Sequence, residues 1–420
     1  MFQSFWRWVR QQSRRIYVRV ILVAVMNVVA LGVALLAGPL IPDGAADLVG
    51  AEAVDAILSV IASSMLAVVT FSLTIMVTGF SRAEGQWTPR AHSLLRQDRV
   101  THSVLATFLG AYVYALIAMI LRAADLFGER GLVVLFFTTV AVALWIVVTI
   151  IRWITHLDAY GGLTYTANRI EERAEEAIAA FARRPAQGAR ILAPGADIPA
   201  NGVAVVAERG GHVEQIYETA LQERATRLEA EIYVLLTVGS FVQQGDVLAR
   251  VVGARAMDDQ SATAIRRAIP VGDARTFEMD PAHTVSVLAE VAIRALSPGV
   301  NDPNTAVDMV YRLARVLGRV AREEPEASVR CDRVWMPTVP LARLFDVSFA
   351  AVGRNAATAI EVHLAIQDAL GSLTRLGHDA LAAEARATAA DHARRAREML
   401  GDPADRARLQ EATVSRASAP

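Results

Sequence analysis

Four long apolar segments occupy the first 156 residues of the chain. They cover residues 18–41, 56–80, 104–121 and 132–154. Each has about 18–25 residues, which at a rise of about 1.5 Å per helical residue can cross a hydrocarbon layer of about 30 Å. A helix of a soluble protein is seldom apolar on every face over such a length. The pattern therefore predicts a transmembrane domain of four helices over residues 1–156.

After residue 156 the pattern becomes that of a soluble chain. A helical period up to residue 184 predicts a helical linker over 157–190 that extends the fourth span, with a kink at Gly161–Gly162. Short apolar runs between glycine-containing turns then predict a small β module over 191–254. A helical domain is expected over 255–402, with helices near 258–269, 281–297, 303–322, 344–372 and 375–399 and a short strand at 333–337. Residues 403–420 are expected to form a flexible tail.

The β module contains a segment of distinctive composition. Residues 238–251, VGSFVQQGDVLARV, resemble the turn-rich half of a biotinyl- or lipoyl-type barrel-sandwich. A carrier domain of that type needs a modifiable lysine, but all 42 basic residues of this chain are arginines. The resemblance therefore implies the fold without the carrier chemistry. The expected fold class is an α-helical membrane protein followed by a small barrel-sandwich-like β module and an α-helical cytoplasmic domain.

Arginines are distributed unevenly around the four apolar segments. Five lie before or at the start of the first segment and four lie between the second and the third, whereas residues 42–55 carry only acidic charges. Arginine-rich loops stay on the cytoplasmic side of a bacterial inner membrane. This predicts a cytoplasmic N-terminus and, after four crossings, a cytoplasmic C-terminus. The lone Cys331 fits a reducing compartment, because the chain can form no internal disulfide.

Three stretches of the sequence carry a resemblance to a known family. They are FSLTIMVTGFSRAEGQWTPR at residues 71–90, RTFEMD at 275–280 and SPGVNDPNTA at 297–306. Together they resemble a widespread bacterial family of predicted membrane proteins of unknown function. Met279 stands where Gln is usual in the family, and Asn304 where an aromatic residue is common. The resemblance implies four N-terminal spans and a soluble C-terminal half, and it implies no activity.

Hydroxyl side chains recur along one face of the second apolar segment. Intervals of four, seven, four and four residues align them on a helix, and the positions are Ser59, Ser63, Thr70, Thr74 and Thr78. One interpretation is a path for water or ions, lined by several copies of this helix around an axis. The other is that these hydroxyls bond to their own backbone and let helices pack closely. No charged side chain lies in the middle of a segment, which argues against coupled transport.

A second group of polar residues belongs to the two C-terminal motifs and the helix between them. Its members are Arg275, Glu278, Asp280, Arg294, Asn301 and Asp302. Asp302 followed by Pro303 is typical of a helix start, so capping explains much of the second motif without a ligand. The alternative is one polar cluster that binds a cation or an anion, or that gates the protein through an arginine–carboxylate pair.

The sequence carries no recognisable signature of catalysis. It has no H-E-x-x-H or G-x-S-x-G motif, its eight histidines are scattered, and its charges form no basic stripe. We therefore expect no catalytic residue, metal site, cofactor or nucleic-acid partner. The expected function is a homo-oligomeric channel or channel-like pore in the lipid bilayer, with a cytoplasmic assembly or gating domain. The alternative is a non-conducting sensor or scaffold whose cytoplasmic half binds a partner, an ion or a small ligand.

Overall fold

A computed structural model describes residues 29, 32, 51–86, 88–91, 99–159, 162–199, 201–254, 257–277 and 279–417 of the 420-residue chain. The chain divides into two compact units, residues 1–166 and residues 167–420. The first predicted span, 18–41, lies outside the described residues except for positions 29 and 32, which are helical. Glu278 also lies outside them.

Three long helices form most of the described part of the first unit. They are α1 (Ala51–Gln86), α2 (Arg99–Ala123) and α3 (Glu129–Ala159). Each contains a stretch long and apolar enough to cross a membrane, at Glu52–Thr78, Val100–Ala123 and Gly131–Leu157. These stretches coincide with the second, third and fourth predicted spans, and each helix continues beyond the predicted ends.

Helix α2 is the most enclosed of these three helices. Half of its candidate span is buried inside the unit, compared with 22% for the spans of α1 and α3. The hydroxyl of the fully buried Tyr114 lies 3.0 Å from the hydroxyl of Thr139 on α3. An ion pair of 3.2 Å joins Asp55, near the start of α1, to Arg122 at the end of α2. The start of α1 and the end of α2 therefore lie at the same end of the unit.

The predicted extension of the fourth span is interrupted. Helix α3 ends at Ala159, and helix α4 (Leu163–Arg183) begins four residues later. Glycine is about 1 kcal/mol less favourable than alanine inside a helix, so the two glycines at 161–162 favour a break there. Helix α4 then buries one face, with Ile170, Ala174 and Ile178 fully enclosed at successive turns.

The second unit continues with helices and short strands. The helices are α5 (Glu218–Arg227), α6 (Asp259–Ala268), α7 (Pro281–Ala295), α8 (Pro303–Gly318), α9 (Leu341–Phe345), α10 (Ala351–Asn355), α11 (Ile360–Thr374), α12 (Asp379–Met399) and α13 (Pro403–Ala417). The strands are β1 (Ala189–Ile191), β2 (Val203–Val206), β3 (Gly211–Val213), β4 (Glu231–Val234), β5 (Phe241–Val242), β6 (Val247–Val252), β7 (Val271–Gly272) and β8 (Cys331–Met336). The helices predicted near 258–269, 281–297, 303–322 and 375–399 and the strand near 333–337 are confirmed, with small shifts at their ends.

The strands form two sheets. The larger sheet has the order β1-β8-β4-β6-β2, with β8 parallel to both of its neighbours, and the smaller sheet has the order β5-β3-β7. The barrel-sandwich prediction is not confirmed. Strand β8 is inserted in the larger sheet from beyond α8, and helix α5 separates β3 from β4. Without β8, strands β1 and β4 would each lose a neighbour, so the sheet depends on residues outside 191–254.

Two predictions near the C-terminus are wrong, one of a helix and one of a flexible tail. The single helix expected over 344–372 is divided into α9, a π-helical turn at Asp346–Ala350, α10 and α11. The break before α11 contains Ala357 with a φ of +47°, and the carbonyl of Ala357 accepts a hydrogen bond of 2.9 Å from His363 Nε2. The expected flexible tail is helix α13, because Leu409 is fully buried against Ala396 and Leu400. A single anchoring leucine in a polar segment gives little sequence signal.

Candidate functional site

The hydroxyl stripe of α1, defined as Ser59, Ser63, Thr70, Thr74 and Thr78, lies on the exposed side of that helix. The opposite side of α1 packs into the unit, and its buried positions include Val54, Leu58, Ile61 and Met65. At about 100° per residue, the stripe is centred on the side directly away from these buried positions. The structure thus aligns all five predicted pore candidates on one surface, and that surface is not used to pack α2 or α3.

The hydroxyls of this stripe bond to the backbone of their own helix. Ser63 donates to the carbonyl of Ser59 at 2.8 Å, Thr70 to that of Leu66 at 2.9 Å, and Thr74 to that of Thr70 at 3.0 Å. A hydroxyl has one hydrogen and two acceptor lone pairs, so these three groups keep oxygen acceptors after the hydrogen is used. The stripe therefore offers acceptors along the outside of α1.

Arg275 and Asp280 form a bidentate ion pair at the start of α7. Arg275 Nε donates to Asp280 Oδ2 at 2.8 Å and Nη2 donates to Oδ1 at 2.9 Å. The Asp280 side chain is 1% exposed, and it also caps α7 by accepting from the backbone N–H of His283 at 2.9 Å. Burial raises the pKa of the Asp280 carboxyl, and Arg275 and the His283 amide oppose this rise. A buried carboxylate with three donors is a strong structural anchor.

The sequence analysis did not identify Gly239, the residue whose backbone packs directly against this ion pair. Gly239 lies in the turn between β4 and β5 with a φ of +86°, and a Cβ added there would overlap the Asp280 carboxylate and crowd Arg275 Nε. Only glycine lets the turn approach the pair so closely while holding a left-handed backbone conformation. The signal available in the sequence was the Val-Gly-Ser step within VGSFVQQGDVLARV.

The predicted single polar cluster is wrong, because helix α7 separates its members. Arg275 and Asp280 lie at the start of α7, whereas Arg294, Asn301 and Asp302 lie at its end or beyond. Fifteen residues of helix at about 1.5 Å each place the two groups about 22 Å apart along the axis. The structure therefore offers two separate polar sites, one of which is the buried ion pair.

The SPGVNDPNTA motif forms the turn between α7 and α8. Asp302 caps α8 by accepting from the backbone N–H of Thr305 at 3.1 Å, and its own N–H donates to the carbonyl of Ala295 at 2.8 Å. Asn301 takes a φ of +50°, which asparagine tolerates better than most residues. The Thr305 hydroxyl and amide hold the pKa of the Asp302 carboxyl below its usual value. The capping interpretation of this motif is confirmed.

A partly open cavity of about 110 Å³ lies inside the second unit, and we call it the α4 pocket. Its wall is mostly apolar and comes from the end of α4, the β4–β5 turn, the segment before α7 and the end of β8. Residues that form it include Ala180, Phe181, Val238, Met279, Pro281 and Met336. Val238 precedes Gly239, while Met279 and Pro281 flank Asp280, so the buried ion pair holds part of this wall in place.

Helix α4 is tied to α8 by a buried charge network. Arg312 of α8 donates to Glu171 and, at 2.7 Å, to Asn168, both on α4. Arg315 adds two hydrogen bonds to the same Glu171 carboxylate, at 2.7 and 3.1 Å. The side chains of Arg312 and Glu171 are only 9% and 12% exposed. The network fixes the helix that follows α3 against the helix that begins in the SPGVNDPNTA motif.

Two buried histidines join α11 and α12. His363 Nε2 donates to the carbonyl of Ala357, which leaves His363 Nδ1 to accept from His392 Nε2 at 3.1 Å. Gln367 then donates to His392 Nδ1 at 2.9 Å and to the carbonyl of Ala389 at 3.0 Å. Every hydrogen in this chain has an acceptor when both rings are neutral. Burial lowers the pKa of His363, and burial together with the nearby His363 lowers that of His392 to about 3.

Within the described ranges, no group of three His, Cys, Asp or Glu residues is arranged to hold a metal ion. The thiol of Cys331 is buried in β8, and this burial raises its pKa to about 11. The thiol therefore stays protonated at neutral pH and is a poor nucleophile.

Comparisons with known proteins indicate a membrane protein and add no activity. The chain is 27% identical over 165 residues to uncharacterized proteins of Mycobacterium bovis and Mycobacterium tuberculosis, over 37% of this chain and 32% of theirs. The chain thus spans about a third of the length of the curated relatives it matches. No solved structure matches it. The model of the family described as "Predicted membrane protein (DUF2254)" matches residues 13–372, and the chain therefore belongs to this family of membrane proteins.

Proposed function

We propose that the protein is a homo-oligomeric pore of the bacterial inner membrane, with copies of α1 arranged around its axis. The observation that carries this proposal is the hydroxyl stripe, which runs along the outward side of a candidate span. Oxygen acceptors that face hydrocarbon find no donors, whereas water or a neighbouring copy supplies them. The side of α1 that bears the stripe is therefore better suited to a wet axis than to lipid.

The chemistry of the stripe favours cations over anions. Ser63, Thr70 and Thr74 have used their hydroxyl hydrogens on backbone carbonyls and present oxygen acceptors. Rings of oxygen atoms can replace part of the hydration shell of a small cation. The arginine distribution supports a cytoplasmic location for both termini and for residues 167–420, which then form an assembly or gating domain.

Reconstitution in planar bilayers tests this proposal. We expect a cation-selective current, and we expect Ser63→Leu combined with Thr70→Leu to reduce the unitary conductance because both remove acceptors and add bulk. The control is Val60→Leu combined with Phe71→Leu, which alters exposed apolar positions beside the stripe and keeps every hydroxyl. The absence of any current under voltage, tension or a change of pH would rule out the pore. Equal conductance of both variants would show that the stripe serves helix packing and does not line the conducting path.

A second candidate is a non-conducting membrane sensor or scaffold. The α4 pocket favours it, because Ala180 and Phe181 in its wall belong to the helix that follows the last candidate span along the chain. An occupant of this pocket would contact α4 and the residues beside the Arg275–Asp280 pair at the same time. Neither candidate assigns catalysis to the chain. Two results together would support this second function over the pore. The reconstituted protein would carry no current, and the binding of a small ligand would change the arrangement of its membrane helices.

A further inference from the structure

We propose that one face of the larger sheet binds an extended acidic segment of another protein. The segment has two carboxylates four residues apart and an apolar side chain midway between them. The face is the one that carries Arg190, Tyr233 and Trp335, and it lies within the second unit. The inference goes beyond both functions considered above, because it holds for a pore and for a scaffold alike.

Four side chains form a row across this face, and we call them the arginine–aromatic row. Arg190 of β1 lies opposite Trp335 of β8. Tyr233 of β4 lies opposite both Trp335 and Arg250 of β6. Residues directly opposite one another in a sheet point to the same face. Alternate positions of these strands point to the other face, which packs into the core of the unit. The row therefore lies on the face directed away from the core, with Arg190 exposed and its other members partly exposed.

Three arginines on this face carry charge that is not neutralised by a neighbouring carboxylate. Arg190 and Arg250 end the row, and Arg333 lies on the same face two positions along β8 from the row. Within the described part of the chain, none of the three guanidinium groups forms an ion pair or a side-chain hydrogen bond. Glu231, which is also on this face, accepts a hydrogen bond of 2.7 Å from the Tyr233 hydroxyl. The face therefore has an excess of positive charge, which is complementary to an acidic partner.

The aromatic centre of the row favours a peptide over a nucleic acid. The rings of Tyr233 and Trp335 are parallel within 2°, with centroids 5.8 Å apart, and Arg190 Cζ lies 5.1 Å from the centroid of the Trp335 ring. Because β1 and β4 flank β8 on opposite sides, Arg190 and Tyr233 cover opposite faces of the indole. Binding of single-stranded nucleic acid commonly uses a free aromatic face on which a base stacks. Tyr, Trp and Arg are, in contrast, the residue types that contribute most to protein–protein binding.

The spacing of the arginines sets the sequence of the partner. Adjacent strands lie about 4.8 Å apart, so the three spacings from β1 to β6 place the backbones of Arg190 and Arg250 roughly 14 Å apart. An extended chain rises about 3.4 Å per residue, so its side chains at positions i and i+4 point to the same side and also lie roughly 14 Å apart. Glutamates at these two positions match the two arginines. An apolar side chain at i+2 then contacts the edges of the Tyr233 and Trp335 rings.

Fluorine NMR of the full chain provides the test, because Trp335 is the only tryptophan that follows Trp153 in the sequence. The protein in phosphatidylcholine nanodiscs, labelled with 5-fluorotryptophan, would be titrated at low salt with the end-blocked peptide Gly-Glu-Ser-Leu-Ser-Glu-Gly. We expect the signal of Trp335 to shift and those of the other tryptophans to stay in place, with a dissociation constant of about 1 mM or lower.

Two control peptides keep the length of this probe. Gly-Ser-Glu-Leu-Glu-Ser-Gly has the same composition, but its carboxylates are only two residues apart, so it can engage one end of the row at a time. It should bind about threefold more weakly or worse. The analogue with Gln in place of both Glu residues has no charge to offer the arginines and should cause no shift at the same concentrations.

Matched variants test the two arginines that end the row. Arg190→Gln combined with Arg250→Gln should weaken the binding of the first peptide by about tenfold, because it removes both charges. Arg190→Lys combined with Arg250→Lys keeps the charges and should lose less than about threefold. Arg386→Gln, at an exposed position of α12 outside both sheets, should leave the affinity unchanged. The control peptides use the unchanged chain, so they decide the question if a variant fails to fold.

Several results would overturn the proposal. One is the absence of a Trp335 shift with the first peptide up to about 10 mM, and another is equal affinity for the two glutamate peptides. Equal affinity of the double Gln variant and the unchanged chain would do the same. Tighter binding of the single-stranded RNA octauridylate would assign the face to a nucleic acid. A Trp335 shift caused by phosphatidylglycerol in the nanodisc, without any peptide, would assign it to the membrane surface.

Discussion

Gly239 is the residue whose substitution tests the buried ion pair most directly. Its Cβ would overlap the Asp280 carboxylate, and its positive φ adds strain for any other residue. We expect Gly239→Ala to cost about 3 kcal/mol or more, because it disturbs a buried charge pair as well as the turn. In a unit of this size that corresponds to a fall of roughly 6–12 °C in the midpoint of thermal unfolding, which circular dichroism of the full chain in detergent would record.

Gly245→Ala is the matched control for this substitution. Gly245 has a similar φ of +93°, but nothing lies within 4 Å of the position its Cβ would take. It should therefore show only the backbone strain of about 1 kcal/mol, a shift of roughly 2–4 °C. Equal shifts for the two variants would mean that Gly239 serves the turn alone and that its contact with Asp280 has no energetic weight.

The buried histidines predict a loss of stability in acid. In the unfolded chain a histidine has a pKa of about 6.5, whereas His392 in the folded chain has a pKa of about 3 and that of His363 is also lowered. Between these values the unfolded state binds protons that the folded state does not. The free energy of unfolding should therefore fall as the pH drops from about 6.5 toward 3, by up to about 1.4 kcal/mol per pH unit for each histidine.

The slope of stability against pH distinguishes this effect from a general acid sensitivity. His392→Leu removes one imidazole from the network and should flatten the slope between about pH 6 and 4. Leu373→Ala, at a buried position of the neighbouring helix α11, should lower the stability at every pH and keep the slope. Thermal midpoints measured in a pH series would distinguish the two variants. Identical slopes for His392→Leu and the unchanged chain would exclude the histidine network as the source of the pH dependence.

Single residues also show what the sequence can and cannot reveal. The cap of Asp302 was predictable, because Asp followed by Pro before a helical pattern has a local physical cause. The pairing of Arg275 with Asp280 was accessible for the same reason, since only five positions separate them. The role of Gly239 was hidden, because it depends on a contact across 41 positions of the chain that no local pattern encodes.

Among the elements, α4 and α8 are joined by the charge network around Glu171. Glu171→Gln would leave Arg312, 9% exposed, without its most buried carboxylate partner. We expect a cost of about 3 kcal/mol, because removal of one member of a buried pair leaves a charge uncompensated. Glu172→Gln is the adjacent control, since its pair with Arg169 is exposed on both sides and is worth less than about 1 kcal/mol. Chemical denaturation of the two variants in parallel compares them, and equal midpoints would mean that the network does not hold α4.

Most helices were predictable from the sequence, whereas the strand order of the larger sheet was not. Apolar length gave α1, α2 and α3, and helical period gave α6, α7, α8 and α12, because both signals are local. The insertion of β8 between β1 and β4 could not be predicted, because β8 pairs in parallel with Ala189 of β1 across 142 positions and with Ile232 of β4 across 102 positions, and such pairing leaves no local trace. The same limit explains the prediction of a separate β module from a short barrel-sandwich-like segment, although the larger sheet includes β8 from outside residues 191–254.

The distribution of charged residues between the two ends of the membrane helices predicts the orientation of the whole molecule in the membrane. The Asp55–Arg122 pair places the start of α1 at the same end of the unit as the end of α2. We expect this end to face the periplasm, because arginines concentrate in residues 81–99 at the opposite ends of these helices. A periplasmic reporter inserted at 124–128 should be active, and one inserted at 92–98 should be inactive.

Reporters at the two termini then decide whether residues 18–41 cross the membrane. A cytoplasmic C-terminus and three crossings by α1, α2 and α3 would leave the residues before α1 in the periplasm, so a cytoplasmic N-terminus requires one further crossing. We expect cytoplasmic reporters fused before Met1 and after Pro420 to be active together, because the early arginines resist translocation. A periplasmic signal from the N-terminal fusion alone would leave the three described spans in place and exclude a crossing by residues 18–41. A periplasmic signal from the C-terminal fusion would contradict the proposed orientation and the proposed cytoplasmic location of the α4 pocket.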